Sequence, residues 1–162
     1  MLDDAMFDVE GWLAGEIGAE FARAEGSAFV SGTGIGRPRG FLAYATAATD
    51  DTTRPFGTLQ YVASGAAGAF AAASPQDKLI DLVHALRAPY RQGASWVMNA
   101  STLAKVRKMK DGQGQFLWAP SLSADTPATL LGYPVIEAEA MPDVGVDSLS
   151  IAFGNFKAGY LI

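Results

Sequence analysis

Residues 32–41 read GTGIGRPRGF: three glycines alternate, two arginines follow, and a fourth glycine comes just before the final Phe41. Such a stretch either holds a phosphate or lets the chain turn sharply, and the two readings lead to different folds. A dinucleotide fingerprint needs G-x-G-x-x-G between a strand and a helix, so that phosphate meets a helix N-terminus. Counting from Gly32 and Gly34, the third glycine falls on Arg37; counting from Gly34 and Gly36, it falls on Arg39. The order is also reversed. A helical pattern precedes the run and an extended one follows, which aims the positive end of the helix dipole away from it. The P-loop string G-x-x-x-x-G-K-S/T occurs nowhere. The run is therefore read as a bend whose glycines serve backbone geometry.

Working outward, residues 7–25 (FDVEGWLAGEIGAEFARAE) predict a helix. Val9, Leu13, Ile17 and Phe21 recur every four residues beside Trp12, and the charged residues fall mostly elsewhere. Gly11, Gly15 and Gly18 each weaken a helix interior by about 1 kcal/mol relative to Ala, so this helix takes its order from neighbours. Gly26 is a candidate stop, with Ala28 and Phe29 able to extend the helix by a turn. Beyond the bend, residues 41–65 read as strand and loop. TDDTTRP at 49–55 is a polar turn cluster, and FGTLQYVAS at 56–64 has strand composition. Residues 65–73 are ambiguous.

Ser74-Pro75-Gln76-Asp77 marks a helix start, with Ser74 as cap and Pro75 in the first turn. Leu79, Leu82, Val83 and Leu86 form its apolar stripe, and Pro89 is the expected stop. ASWVMN at 94–99 predicts a buried strand. Ser101 is the candidate cap of a second helix, TLAKVRKMK, which Asp111-Gly112 would end. FLWAPSL at 116–122 reads as loop or short strand. A tight turn at Gly132 leads into a strand, YPVIEAEAM, then a loop from Asp143 to Asp147, and LSIAFGNFKAGYLI closes the chain as one or two strands. Helices separated by a strand, then strands without helices between them, predict an α+β fold. Trp96, Val97, Leu103, Val106, Val135 and Ile151 are expected in one core.

The 162 residues suit one domain or a domain plus a fragment. With 49% hydrophobic and 18% charged residues, a packed core is expected rather than disorder. The net charge of −5 and pI near 4.7 make the chain a poor general binder of nucleic acid, which requires clustered Lys and Arg. The lack of cysteine excludes disulfides and thiolate zinc sites and fits a cytosolic folding compartment. One histidine, His84, argues against a histidine metal site. The longest apolar run, AAGAFAAA at 66–73, is too short to span a bilayer. The acidic N-terminus does not read as a secretory signal.

Candidate chemistry is sparse. His84 lies mid-helix with no G-x-S-x-G elbow in the chain. Glu137 and Glu139, two apart on an expected strand, share a face; paired carboxylates can perform acid–base work, but an exposed sheet face is the commoner setting. Asp143 and Asp147 could touch a cation, but without EF-hand spacing. Lys105, Arg107, Lys108 and Lys110 concentrate basic charge in six positions; DNA contact is one reading, a solvated helix face complementing the C-terminal dipole the other. No catalytic, cofactor-binding or metal-ligating residue is assigned, and no cofactor is expected.

An acidic, alanine-rich helix running into SGTGIGRPRGFL, then WVMN, LLGYPV and IAFGNF in that order, resembles the tailed-bacteriophage (HK97-type) major capsid protein family. In the glycine-rich turn, Gly34, Pro38, Gly40, Phe41 and Leu42 match the family pattern. WVMNASTLAKVRKMKDGQGQFLW, LLGYPVIEAEAMP and IAFGNFKAGYLI follow in the family's order, with Asn155 where Asp is commoner. The resemblance covers nearly the whole chain. It implies a long spine helix in a peripheral domain, here residues 1–70, and an axial domain with a central β-sheet flanked by helices, here residues 71–162. It also implies a chain truncated at both ends, without the N-terminal arm, extended loop and terminal strands. The lysine and asparagine that cross-link some relatives lie in those parts, so no residue here inherits that role. Arg37 and Arg39 become candidates for contacts between neighbouring subunits.

The function so implied is structural. The chain would be a capsid subunit that assembles with itself into pentamers and hexamers around double-stranded DNA, working with portal and scaffolding or protease components. It would reside in the virion and, before assembly, in the host cytoplasm, with no membrane partner. The alternatives are an encapsulin-like shell for protein cargo and a small α+β enzyme using the Glu137/Glu139 face.

Overall fold

The computed structural model describes residues 8–110 and 129–160. The expected stop at Asp111-Gly112 and the FLWAPSL stretch at 116–122 lie outside the described residues. The chain divides into two compact units, Met1–Ala43 and Tyr44–Ile162.

In the first unit, α1 spans Val9–Ser31. Asp8 caps it, its carboxylate accepting from the Gly11 amide at 2.9 Å. Gly26 does not stop the helix, which continues through Ala28 and Phe29 to Ser31. Gly26 keeps a negative φ, whereas a glycine stop of the usual kind is left-handed. The helix ends instead at Gly32, whose amide still donates to the Ala28 carbonyl at 2.8 Å.

The glycine run then folds back on the helix end. Thr33 and Arg39 form an antiparallel bridge, and the Gly40 amide donates to the Gly32 carbonyl at 2.9 Å. A Cβ on Gly40 would sit inside the backbone of Val30 and Ser31, and one on Gly32 would strike the carbonyls of Pro38 and Ala28. These two glycines exist so that backbone can lie against backbone. The next element is a 3-10 turn, Phe41–Ala43, rather than the expected extended segment. Its last carbonyl accepts from the Arg39 guanidinium at 3.1 Å.

The second unit opens with short pieces. β1 (Thr46–Ala47) pairs in parallel with β2 (Leu59–Gln60), and β3 (Gly65–Ala66) forms a hairpin with β4 (Ala69–Phe70). The strand expected over 56–64 thus shrinks to two residues, because residues 50–58 are drawn into a hydrogen-bonded loop. α2 (Pro75–Ala85) begins at Pro75 as expected, but Ser74 is left-handed (φ 45°) and its hydroxyl makes no capping bond. The helix ends at Ala85, ahead of Pro89. The Arg91 guanidinium takes the terminal carbonyls of Leu86 (2.7 Å) and His84 (3.2 Å), and Pro89 lies inside the short α3 (Ala88–Arg91).

β5 (Ser95–Met98) is the centre of a four-stranded sheet of order β6-β7-β5-β8. It runs parallel to β7 (Tyr133–Glu137) and antiparallel to β8 (Ile151–Gly154), so that Trp96 faces Val135 on one side and Phe153 on the other. α4 covers Ala100–Arg107. Its cap is Asn99 and not Ser101: the Asn99 side-chain oxygen accepts from the Thr102 amide at 2.8 Å. β6 (Thr129–Leu130) joins β7 through Leu131-Gly132, both with positive φ, the backbone of a two-residue hairpin turn. The chain closes with one strand and a helical turn, α5 (Phe156–Gly159), not two strands, because Asn155 caps the turn by accepting from the Ala158 amide.

Leu79 and Val83 of α2 and Leu103 and Val106 of α4 pack with Trp96, Met98, Met109 and Leu130 in one buried cluster, flanked by Val135, Ile151 and Phe153. Of the expected core only Val97 stands outside it. Side chains alternate along a strand, so Val97 is buried on the face of β5 opposite Trp96 and Met98.

Candidate functional site

The residues singled out for chemistry are dispersed. His84 is exposed in the last turn of α2. Glu137 ends β7, and Glu139 lies beyond it in a turn, so the two do not share a strand face as expected; both are exposed. Asp143 is tied to Asn99, whose amide donates to its carboxylate at 3.0 Å, and Asp147 sits in a left-handed turn residue with φ 54°. Among the described residues no group of three His, Cys, Asp or Glu side chains is placed to hold a metal.

The basic run divides as helix geometry requires. Leu103, Val106 and Met109 turn inward while Lys105, Arg107, Lys108 and Lys110 stay at the surface. This is the amphipathic face of a short helix with cations near its negative end.

Concavities among the described residues of the second unit include a groove and a shallower depression. A groove of 520 Å³ between the β3–β4 hairpin, α2 and the 144–151 loop has Lys78 and Asp147 as its charged lining. Lys78 is already paired with Asp81 at 3.0 Å. A shallower depression of 560 Å³ is lined by Pro89, Tyr133 and Pro134, with Arg91 its one charge. That guanidinium is committed to the end of α2. Neither of these two concavities gathers Glu137, Glu139 or His84.

What the molecule does organise is structure. The buried Asn99 amide donates to the Met141 carbonyl (3.0 Å) as well as to Asp143, while its oxygen caps α4. One side chain thereby joins the WVMN strand to the MP segment that follows YPVIEAEA. Asn155 works similarly, accepting from Ala158 and donating to the Gln92 carbonyl at 2.8 Å. An Asp there, the commoner residue in the resembling family, could accept but not donate. A third cluster was not legible in the sequence. Arg54, with its side chain 14% exposed, donates to the carbonyls of Thr58 and Thr49, to Gln60 and to Asp51. Asp51 also meets Arg87 at 2.6 Å. The signal was present only as the TDDTTRP turn cluster, which carries no hint of a distant partner at 87. Among the described residues no helix is long and apolar enough to cross a membrane.

Comparison with known proteins gives this arrangement its context. The model of the phage capsid family matches residues 1–162. No curated protein matches. Among solved structures, the chain is similar to the capsid of an empty GTA particle computed with C5 symmetry, at 53% identity and a TM-score of 0.84, covering 96% of this chain and 52% of that one. It is similar also to the capsid of the native GTA particle, at 52% identity and a TM-score of 0.84, covering 94% of this chain and 55% of that one. The chain thus spans about half the length of these capsid proteins. Their likeness agrees with an α+β fold of the HK97 type, and the enzyme reading built on Glu137 and Glu139 falls away. The chain belongs to the phage capsid family, as a structural protein and not an enzyme.

Proposed function

We propose that this protein is a shell subunit of a phage or phage-like particle, assembling with itself into pentamers and hexamers that close around double-stranded DNA. The observation that carries the reading is the family match over the whole chain together with more than half identity to a capsid solved with five-fold symmetry. In this reading residues 1–70 belong to the peripheral domain, with α1 as its spine helix, and residues 71–162 to the axial domain. DNA is enclosed without sequence-specific contact, in keeping with a chain of net charge −5. Portal and scaffolding or protease components are the partners during assembly. The subunit passes from the host cytoplasm into the virion capsid. The likeness to GTA particles favours this over a cargo shell of encapsulin type.

Expression of the complete gene product tests it. Sedimentation and negative-stain microscopy should show rings or closed shells, and particles from producing cells should protect DNA from nuclease. A product that stays monomeric under every assembly condition, or particles that contain protein cargo and no DNA, would overturn the reading.

A further inference from the structure

The loop that precedes β2 is built as a rigid mount for one aromatic ring. The Thr58 amide donates to the Pro55 carbonyl at 3.2 Å, and Gly57 has φ 82°, the positive value required at the third position of a type II turn. Phe56 occupies the second position, at the apex, and its side chain is fully exposed. Below the apex the loop is clamped. Arg54 binds Thr58, Thr49, Gln60 and Asp51 at 2.9–3.1 Å, and the Asp50 carboxylate accepts from the hydroxyls of Thr52 (2.8 Å) and Thr53 (3.1 Å). Arg87, reaching Asp51 from the start of α3, ties the loop to a separate element.

We propose that Phe56 is an assembly anchor, its ring seating on a second copy of this chain; the proposal rests on the shell reading above. Single exposed apolar residues need no explanation. A ring held in water at the tip of a clamped turn is a different case, because the ordering cost of binding is already met in the free subunit. Aromatic anchors of this kind carry most of the free energy of protein interfaces. The clamp also determines what the tip fits. Asp51 is neutralised between Arg54 and Arg87, and Asp50 stays anionic beneath its two hydroxyl donors, so no uncompensated cation surrounds the ring. A collar whose two arginines are balanced by two aspartates offers no free cation to hold a phosphate backbone, which leaves a protein surface as the partner for the ring. A cyclic arrangement sets identical copies side by side and repeats one patch-to-different-patch contact around the axis. The similar GTA capsid, computed with C5 symmetry, repeats its chain around an axis, and a neighbouring copy is therefore the occupant proposed for the ring.

The test uses the complete gene product with a photo-reactive benzoylphenylalanine at position 56. Irradiated particles should yield cross-links between two copies, located by mass spectrometry. Phe56→Ala should raise the protein concentration needed for assembly about tenfold or more, the loss typical of a truncated anchor. Melting of the unassembled subunit should stay unchanged, and Phe56→Trp should retain assembly. Cross-links confined to the same chain or to nucleic acid, or Phe56→Ala particles forming at the wild-type concentration, would overturn the proposal while leaving the shell reading intact. Wild-type protein that never assembles would overturn both.

Discussion

Helix α1 and strand β5 hold similar aromatic and aliphatic residues and treat them in opposite ways. In β5, Trp96 and Met98 are fully buried, with the indole 4.6 Å from the ring of Phe153 and its N–H donated to the Leu130 carbonyl at 2.9 Å. In α1 every residue from Glu10 to Ser27 is exposed, including Trp12, Leu13, Ile17 and Phe21. The sheet is stabilised by contacts within its own unit. The helix carries three glycines in its first ten residues and an exposed ion pair, Glu20–Arg23, of the kind that contributes little. Isolated helices are marginal even with good formers, and most helical stability in proteins comes from packing an amphipathic face. One chain therefore contains a region whose apolar side chains are buried within its own unit and a helix whose apolar side chains are exposed.

The contrast can be broken most directly at Trp96. Trp96→Ala should destabilise the second unit by about 3–5 kcal/mol, since it opens a cavity and strands the Leu130 carbonyl. Thermal unfolding followed by circular dichroism reads this; an unchanged midpoint would mean that the sheet is not the self-sufficient part. Asn99→Ala comes next, at about 1–3 kcal/mol, for loss of a helix cap and of the donor to Met141. Its signature is loss of amide protection in α4 and around Met141 under hydrogen exchange. On α1 the sign reverses. A Cβ at Gly18 meets nothing within 4 Å, so Gly18→Ala should raise the helicity of the unassembled protein, with a gain of about 1 kcal/mol. If the same change hinders assembly, a close-packed partner at Gly18 is identified. The smallest effect is expected at Asp50. Hydrogen bonds from Thr52, and then Thr53, hold its carboxyl below the usual carboxylate range. A lowered folded value means that the stabilisation is present above the ordinary Asp pKa, about 3.9, and is lost as pH falls through the folded value. Acidification should therefore loosen the 50–58 loop, read by the Thr52 and Thr53 amide resonances, and Asp50→Asn should remove that pH dependence.

Legibility followed the same division. β5, α2, α4 and the hairpin at Gly132 could be read from composition and turn residues because local preference and burial agree there. The cap of α4 was displaced from Ser101 to Asn99 because both residue types cap well, and the choice was made by the Met141 and Asp143 contacts more than forty residues away. Gly26 misled because a glycine is tolerated mid-helix when no left-handed turn follows. The two-residue strands β1–β4 have too little periodicity to read, and the Arg54 clamp depends on a loop closing on itself. The core was readable except for Val97, whose face is decided by register. Of the functional features, the order of capsid-like motifs was legible, but the exposure of Phe56 was not, since nothing in TDDTTRPFG tells an aromatic turned inward from one turned out.

The sheet order has a further consequence for how the chain comes to be folded. β5 lies between β7 and β8, which follow about forty and about fifty-five residues later, and the first of these pairings is parallel. During synthesis the apolar strand Ser95–Met98 must therefore leave the ribosome with neither neighbour available. Closing loops of that length precedes any reward from the strand pairing, and unpaired apolar strands are where nascent chains aggregate. The sheet that makes the second unit self-sufficient once complete is thus its point of exposure during production. Slowing translation within residues 99–150, or depleting chaperones, should reduce the soluble yield through β5, while the solvent-tolerant α1 has no such waiting period.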